Sequence, residues 1–293
     1  MVNLRASLLM VGAMAGFAVE DAIIKHLSAL IPVGQIVLVI GIGGGAVFWA
    51  LARARGLQIL TAQALRGAVL VRNLAEMLSA AAVVLAISLI PLAVVTAILQ
   101  AMPLVVTLGA ALFLRDPVGW RRWSAILVGF VGVLMILRPG SADFDPAALL
   151  AVVAVLSLTA RDLATRRVAP GIHSLQLTTW AFFTVVPAGL LLLLVVFQPP
   201  VAPTPVQWGW LGTGLTAGIF AYAALVGATR MGDIAVTTPF RYSRLVFAMA
   251  IGVVFFGERP DAMTLAGSAL VVGAGLFTLW REMRLVRPVA ASA

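Results

Sequence analysis

Ten apolar runs occupy nearly all of the 293 residues, and charged residues gather in the gaps between the runs. A helix needs roughly 20 apolar residues to cross a hydrocarbon core of about 30 Å. Each run is about that long, and all are too continuous for the alternating pattern of barrel strands. The pattern therefore predicts an all-α integral membrane protein with ten transmembrane helices.

The predicted helices form two sets of five. The first set comprises Leu4–Lys25, Val33–Arg53, Gly67–Ser88, Leu92–Leu114 and Trp120–Leu137. The second set comprises Pro146–Leu163, Ile172–Phe197, Gln207–Thr229, Ile234–Phe256 and Met263–Trp280. Because the gaps reach only roughly a dozen residues, they are too short to form a separate water-soluble domain.

Composition and charge orient this predicted bundle. Hydrophobic residues make up 62% of the chain and charged residues 11%, whereas a soluble domain carries about 25% charged residues. Of the 20 Lys and Arg residues, fifteen lie on the side of the termini and three on the opposite side. The positive-inside rule then predicts that both termini are cytoplasmic. Topology and contact with membrane lipid explain the net charge of +9, so nucleic acid is not an expected partner.

The sequence offers little sign of cleavage, redox or cofactor chemistry. Glu20 and Asp21 lie inside the first apolar run and no clear cleavage site follows it, which favours a retained helix over a signal peptide. The chain has no cysteine, which excludes disulfides and thiolate metal sites. Zinc, phosphate-loop and nucleophile-elbow motifs are also missing, so we expect no metal, no cofactor and no enzymatic activity.

An internal repeat is visible in the second part of each set. Residues 90–140 align with residues 232–282, so that Thr96 falls on Thr238. Each copy joins two helices through a short acidic turn that contains proline. The two turns are Arg115-Asp116-Pro117 and Gly257-Glu258-Arg259-Pro260.

The number of membrane crossings in each half determines the orientation of the second copy relative to the first. Because that number is odd, the second copy enters the membrane from the opposite side. Inverted repeats of this kind are typical of transporters, which bind substrate near the membrane midplane between the halves. We therefore expect a first five-helix repeat at residues 1–140 and a second, inverted one at residues 146–293.

Three further features resemble one transporter family. They are the ten spans in two halves, the Gly257-Glu258 turn before a glycine-bearing last helix, and Gly16-Phe17 leading to Lys25. Together they resemble the EamA branch of the drug/metabolite transporter superfamily, and most of all the YddG-type exporters of amino acids. This resemblance implies a multi-pass protein of the bacterial cell inner membrane with a central cavity, exporting aromatic or a broader set of amino acids. The first turn departs from the second, so we treat both turns as structural.

Ionisable residues inside predicted spans are functional candidates, because a charge at the bilayer centre costs at least about 2.5–3.5 kcal/mol. Glu20 and Asp21 lie near the end of the first helix, one turn after Phe17. One of these carboxylates would meet a substrate ammonium group or take a proton. In the alternative interpretation they are an acidic pair facing the periplasm. Asp21 and Lys25 are four residues apart and are placed to pair.

Glu76 is a deeper acidic candidate on the third helix, with Ser79 one turn away on the same face. We favour a position in the substrate cavity for both side chains. The alternative is a structural ion pair between Glu76 and Arg72 on the same helix.

The ninth helix supplies the basic candidates Arg241 and Arg244, which flank Tyr242. Their forked donors suit a carboxylate, and Pro239 removes a backbone hydrogen bond that would otherwise close the helix. The alternative role for these arginines is to neutralise Glu76 or Asp162.

Uncharged candidates complete the predicted site. Gln100 falls on Tyr242 in the repeat alignment, so the fourth and ninth helices are expected to present matching polar side chains to one cavity. Phe17, Trp180 and Tyr222 are the midspan aromatic residues, and the hydroxyl of Tyr222 needs a partner away from water.

These observations favour a secondary transporter that exports amino acids by alternating access, with small-molecule substrates as its partners and no need for an oligomer. An exporter of another metabolite or of a cationic drug is the main alternative. A membrane-embedded enzyme is less favoured, because the acidic residues are scattered. The sequence leaves proton coupling and facilitated diffusion both open.

Overall fold

The computed structural model describes residues 2–115, 119–169, 171–231 and 234–286, and these residues form helices joined by short connections without any strand. The helices before the middle of the chain are α1 (Val2–Ser28), α2 (Val33–Ala54), α3 (Gly67–Leu89), α4 (Leu92–Leu99), α5 (Met102–Gly109) and α6 (Trp120–Leu137). The later ones are α7 (Ala148–Thr165), α8 (Ser174–Val195), α9 (Pro205–Met231), α10 (Ile234–Thr237), α11 (Ser243–Phe256) and α12 (Ala262–Val286). A π-helical turn follows α5 at Ala110–Leu114, and 3-10 turns lie at Ala62–Leu65 and Thr238–Tyr242.

Ten helical stretches of the described chain are long and apolar enough to cross a membrane. The fourth and fifth, Leu92–Leu114 and Trp120–Leu137, have the predicted bounds, and the others differ by a few residues. The ninth begins at Thr238 instead of Ile234, where the backbone changes to a 3-10 turn. The predicted all-α fold with ten transmembrane helices is therefore confirmed.

Two of the spans depart from a regular α-helix. In the fourth, α4 ends at Leu99 and α5 begins at Met102, with Pro103 in its first turn. In the ninth, the 3-10 turn around Pro239 precedes α11. Pro103 and Pro239 do not align in the repeat. The two irregular segments nevertheless include residues 100 and 242, which do align.

The helices assemble into two compact units. The first unit comprises Met1–Ala22, Pro91–Pro146 and Ala217–Ala293; in it α6 packs along α12 and α4 packs against α11. The second unit comprises Ile23–Ile90 and Ala147–Thr216; in it α2 packs along α8 and α3 along α7. Each unit combines segments from both sequence repeats. The division at residues 140–146 follows the repeat and stays a prediction.

Glycine pairs bring helices together in both units. A Cβ atom on Gly34 of α2 would lie 2.6 Å from the carbonyl oxygen of Gly189 on α8. In the first unit, a Cβ atom on Gly132 of α6 would lie 2.7 Å from the carbonyl oxygen of Gly267 on α12. Backbones that approach this closely need residues without side chains, as is common between membrane helices.

The turn after α11 has a defined structural role. Gly257 ends α11 with a φ of 63°, and the Glu258 carboxylate then accepts hydrogen bonds from the backbone N–H groups of Leu92 (2.7 Å) and Ala93 (3.1 Å). A carboxylate at this place satisfies free N–H groups of α4 and complements the helix dipole. In the other turn Arg115 adopts a φ of 59°, while Asp116 and Pro117 lie outside the described residues.

Candidate functional site

The central feature of the first unit is an ion pair between α1 and α11. Arg244 donates from Nη2 (2.6 Å) and from Nε (3.1 Å) to the same oxygen, Oδ2, of Asp21. The guanidinium also lies over the ring of Phe17, 5.3 Å from its centroid. Phe17 and Asp21 are four residues apart and so share a face of α1. We call these three residues the Phe17–Asp21–Arg244 cluster.

Apolar packing holds the aromatic member of the cluster in place. Phe17 and Leu225 pack against a buried group of α1 and α9 side chains, which consists of Met10, Ala13, Met14 and Ala228. Asp21 is itself buried, with 6% of its side chain exposed. The cluster is therefore a charged site set into an apolar interior, where electrostatic interactions are stronger than in water.

Lys25, which the spacing suggested as a partner for Asp21, has a different structural role. Its ammonium group donates to the backbone carbonyl oxygen of Ile90 at 2.8 Å, and a longer contact of 3.4 Å reaches the carbonyl of Ile87. Lys25 thus satisfies carbonyl groups at the end of α3. Asp21 takes its ion-pair partner from a helix far along the chain.

Glu20 differs from its neighbour Asp21. Its partly buried carboxylate makes no hydrogen bond with any residue that the structure describes, and the charged groups acting on it there are Asp21 and Arg244. The carboxylate lies against Gly218 of α9, at a place that a Cβ atom would fill. Tyr222 is partly buried one turn after Gly218 and shares that face of α9.

The interrupted spans meet at Gln100. Its side-chain amide donates to the backbone carbonyl oxygen of Arg241 at 3.4 Å, while the Arg241 side chain is exposed. Tyr242 is buried with its hydroxyl against Gly275, and that hydroxyl forms no hydrogen bond within the described ranges. Gln100 and Tyr242 are thus both at the interruption, but Tyr242 packs into the protein interior.

Glu76 and Ser79 belong to the second unit. The Glu76 carboxylate pairs with Arg161 of α7 at 3.3 Å, and Arg161 also pairs with its neighbour Asp162 at 2.9 Å. Ser79 donates to the carbonyl oxygen of Glu76, within its own helix. Arg72, the partner that the sequence suggested for Glu76, donates to the carbonyl oxygen of Leu177 at 3.0 Å. The pair with Arg161 was not predicted, because 85 residues separate its members.

Trp180 has a structural role in the second unit. It is buried, and its indole N–H donates to the carbonyl oxygen of Ile59 at 2.7 Å. This hydrogen bond fastens the connection between α2 and α3 to α8.

The groups of the first unit suit binding rather than catalysis. A guanidinium with five donors, two carboxylates and an aromatic face can hold ammonium and carboxylate groups together. In the part of the chain that the structure describes, no group of three or more His, Asp or Glu side chains is arranged to hold a metal ion.

Comparison with known families identifies the family of this ten-span chain. The EamA-like transporter family matches the chain twice, at residues 4–138 and 145–280. The chain belongs to this family, and it is a multi-pass membrane protein. The resemblance to the EamA branch is therefore confirmed, and membership favours transport over the membrane-enzyme alternative.

Individual relatives are named after different compounds. The S-adenosylmethionine uptake transporter of Rickettsia prowazekii is 25% identical over 68% of this chain and 66% of its own length. The riboflavin transporter of Rhizobium johnstonii is 33% identical over 69% of this chain and 66% of its own. The pseudopaline exporter CntI of Pseudomonas aeruginosa is 29% identical over 90% and 92%. The alignment thus spans slightly less than two thirds of the first two relatives.

A solved structure shows the same fold. This crystal structure matches with a TM-score of 0.62 and 22% identity over 96% of this chain and 98% of that chain. The relatives reported above are named for compounds other than free amino acids, so the narrower resemblance to YddG-type exporters gains no support from them.

Proposed function

We propose that this protein is a secondary transporter of the bacterial inner membrane that exports amino acids or compounds carrying an amino-acid group. The observation that carries the proposal is the Phe17–Asp21–Arg244 cluster, which sets opposite charges side by side inside membrane spans. Charged residues within spans commonly mark substrate or ion pathways.

One donor and one acceptor of the cluster make no hydrogen bond with the described residues. Both bonds from Arg244 end on Oδ2 of Asp21, and no described residue accepts from the remaining nitrogen, Nη1, or donates to Oδ1. A substrate carboxylate can therefore bind Nη1 while an α-ammonium group meets Oδ1. The zwitterion would match the charges of the pair without the pair breaking.

The interrupted spans support transport over a purely structural role for these charges. Substrate sites of secondary transporters are typically built at discontinuous helices, where backbone groups are available to ligands. Here the fourth span is interrupted at Gln100 and the ninth begins with a 3-10 turn, and the Gln100 amide donates to the carbonyl of Arg241 in that turn. Phe17 and Tyr222 offer aromatic surface for an apolar side chain.

The relatives bear on the substrate and on the direction of transport. S-adenosylmethionine, after which one group of relatives is named, carries an α-amino-acid group. The proposed direction, export, is taken from the relative CntI, which is named an exporter and aligns with 90% of this chain. The riboflavin transporter, at 33% identity, favours a second candidate function, namely the transport of a larger aromatic metabolite.

The test is counterflow by the purified protein in proteoliposomes. Vesicles are loaded with unlabelled phenylalanine, threonine, S-adenosylmethionine or riboflavin, and uptake of the corresponding labelled compound is followed with and without a pH gradient. We expect accumulation with compounds that carry an amino-acid group, and loss of it in Arg244→Gln. Accumulation with riboflavin alone would contradict the amino-acid proposal and favour the second candidate. A response to the pH gradient would indicate proton coupling.

A further inference from the structure

Adjacent carboxylates of α1 have unequal surroundings. Asp21 receives two hydrogen bonds from Arg244, whereas Glu20 receives none from the described part of the chain. The charged groups that act on Glu20 there are Asp21 and Arg244, and Arg244 is already paired with Asp21. Glu20 is therefore a carboxylate in excess of the local positive charge.

The protein makes room for this carboxylate. A Cβ atom on Gly218 would collide with both carboxylate oxygens of Glu20, so glycine leaves the space that they occupy and a larger residue would displace them. Elsewhere on the same helix, a Cβ atom on Gly227 would contact nothing within 4 Å. The glycine at 218 thus leaves room for the Glu20 carboxylate in the interior, where a desolvated charge is unfavourable without a counter-charge.

We infer that Glu20 binds a second cationic group of the substrate, so that the protein prefers amino acids with a positively charged side chain. This inference rests on the proposed function. The Asp21–Arg244 pair is neutral overall and matches a neutral zwitterion. Ionisation of Glu20 adds one negative charge to the site, which a substrate that carries one additional positive charge balances.

The experiment uses three amino acids of equal chain length that differ at the end of the side chain. Lysine ends in an ammonium group, norleucine in a methyl group and 2-aminoadipate in a carboxylate. Counterflow of each is measured in proteoliposomes with the full-length protein. We expect lysine to exceed norleucine by about tenfold or more, the range of one hydrogen bond to a charged group, and 2-aminoadipate to be the poorest.

Two variants assign this preference to Glu20. Glu20→Gln keeps the shape of the side chain and is expected to bring the ratio of lysine to norleucine close to one. Gly218→Ala retains the charge but displaces the carboxylate, and it is expected to lower the same ratio. Gly227→Ala on the same helix is the matched control and should keep the ratio of the parent protein. Size-exclusion chromatography and thermal unfolding check that each variant is folded.

The outcomes separate this inference from the proposed function. Equal counterflow of lysine and norleucine in the parent protein, or a lysine preference that persists in Glu20→Gln, would overturn the inference while leaving an amino-acid transporter. Absence of counterflow with every amino-acid compound would overturn the proposed function, and the inference with it.

Discussion

Arg244 donates two hydrogen bonds to one carboxylate oxygen of Asp21, although 223 positions separate these residues in the chain. The pair ties α11, which follows an interrupted segment, to the continuous helix α1. It also places a cation over the face of Phe17. Any change at the pair is therefore expected to affect both the stability of the first unit and the binding of charged substrates.

Removing one member of the pair should destabilise the protein more than removing both. Asp21→Asn or Arg244→Met leaves an uncompensated charge in the interior, which costs roughly 3–5 kcal/mol for buried pairs. We expect the lower end of this range, because 24% of the Arg244 side chain is exposed. Thermal unfolding in detergent measures the effect. Additive losses in the double variant would show that the two side chains do not interact.

The Glu258 cap should contribute to the stability of α4. Glu258→Ala removes the acceptor of the Leu92 and Ala93 N–H groups, and we expect a loss of about 1 kcal/mol. Glu258→Gln keeps one side-chain oxygen and should lose less. The measurement is denaturant unfolding in detergent, and equal stability of Glu258→Ala and the parent protein would rule out the cap.

Close packing of α6 on α12 should depend on particular glycines. In Gly267→Ala, the new methyl group would lie 2.6 Å from the carbonyl oxygen of Gly132, and we expect a loss of about 1–3 kcal/mol. Gly273→Ala on the same helix meets nothing within 4 Å. That control should be neutral or slightly stabilising, because alanine favours helix. If both variants unfold at the same temperature, the close contact has no energetic role.

The ion pair between Arg138 and Asp261, which lies outside the spans, should make the stability of the protein depend on pH. The hydrogen bond from Arg138 and that from the Thr264 backbone lower the pKa of Asp261 to about 2, from an ordinary value of 3.8. The same hydrogen bond, which Asp261 accepts, raises the pKa of Arg138, which stays protonated. Because the folded pKa of Asp261 is depressed, its contribution is fully present above pH 3.8 and is lost as the pH falls through about 2.

The corresponding experiment compares the parent protein with Asp261→Asn in detergent from pH 6 to pH 2. We expect a constant difference in unfolding temperature above the ordinary pKa of aspartate and a shrinking difference below it. A difference that stays unchanged down to pH 2 would argue against the ion pair as its source.

The predicted orientation of the termini can be tested directly, because the chain contains no cysteine. Ser141→Cys lies in the exposed connection before α7, and Gln63→Cys in the exposed turn before α3. With cytoplasmic termini, a membrane-impermeant maleimide should label Ser141→Cys in spheroplasts and reach Gln63→Cys only after lysis. The opposite labelling pattern would reverse the predicted orientation.

The sequence by itself determined the membrane spans, as shown by Leu92–Leu114 and Trp120–Leu137, whose bounds agree with the structure. Hydropathy predicts such bounds because each span must cover the hydrocarbon core with its own residues. The interruption near Pro239 was also expected, since a missing N–H group acts locally. The sequence likewise indicated which polar residues lie inside spans and so merit attention.

Only the tertiary structure decided the partners of these polar residues. The i, i+4 spacing suggested Lys25 for Asp21 and Arg72 for Glu76, whereas the structure pairs Asp21 with Arg244 and Glu76 with Arg161. It also gave Gly218 a place beside Glu20 that no motif indicated. Spacing along one helix describes neighbours on that helix alone, while these partners come from helices brought together by packing. Their identity therefore depends on which helix faces meet, and that is a property of the folded chain.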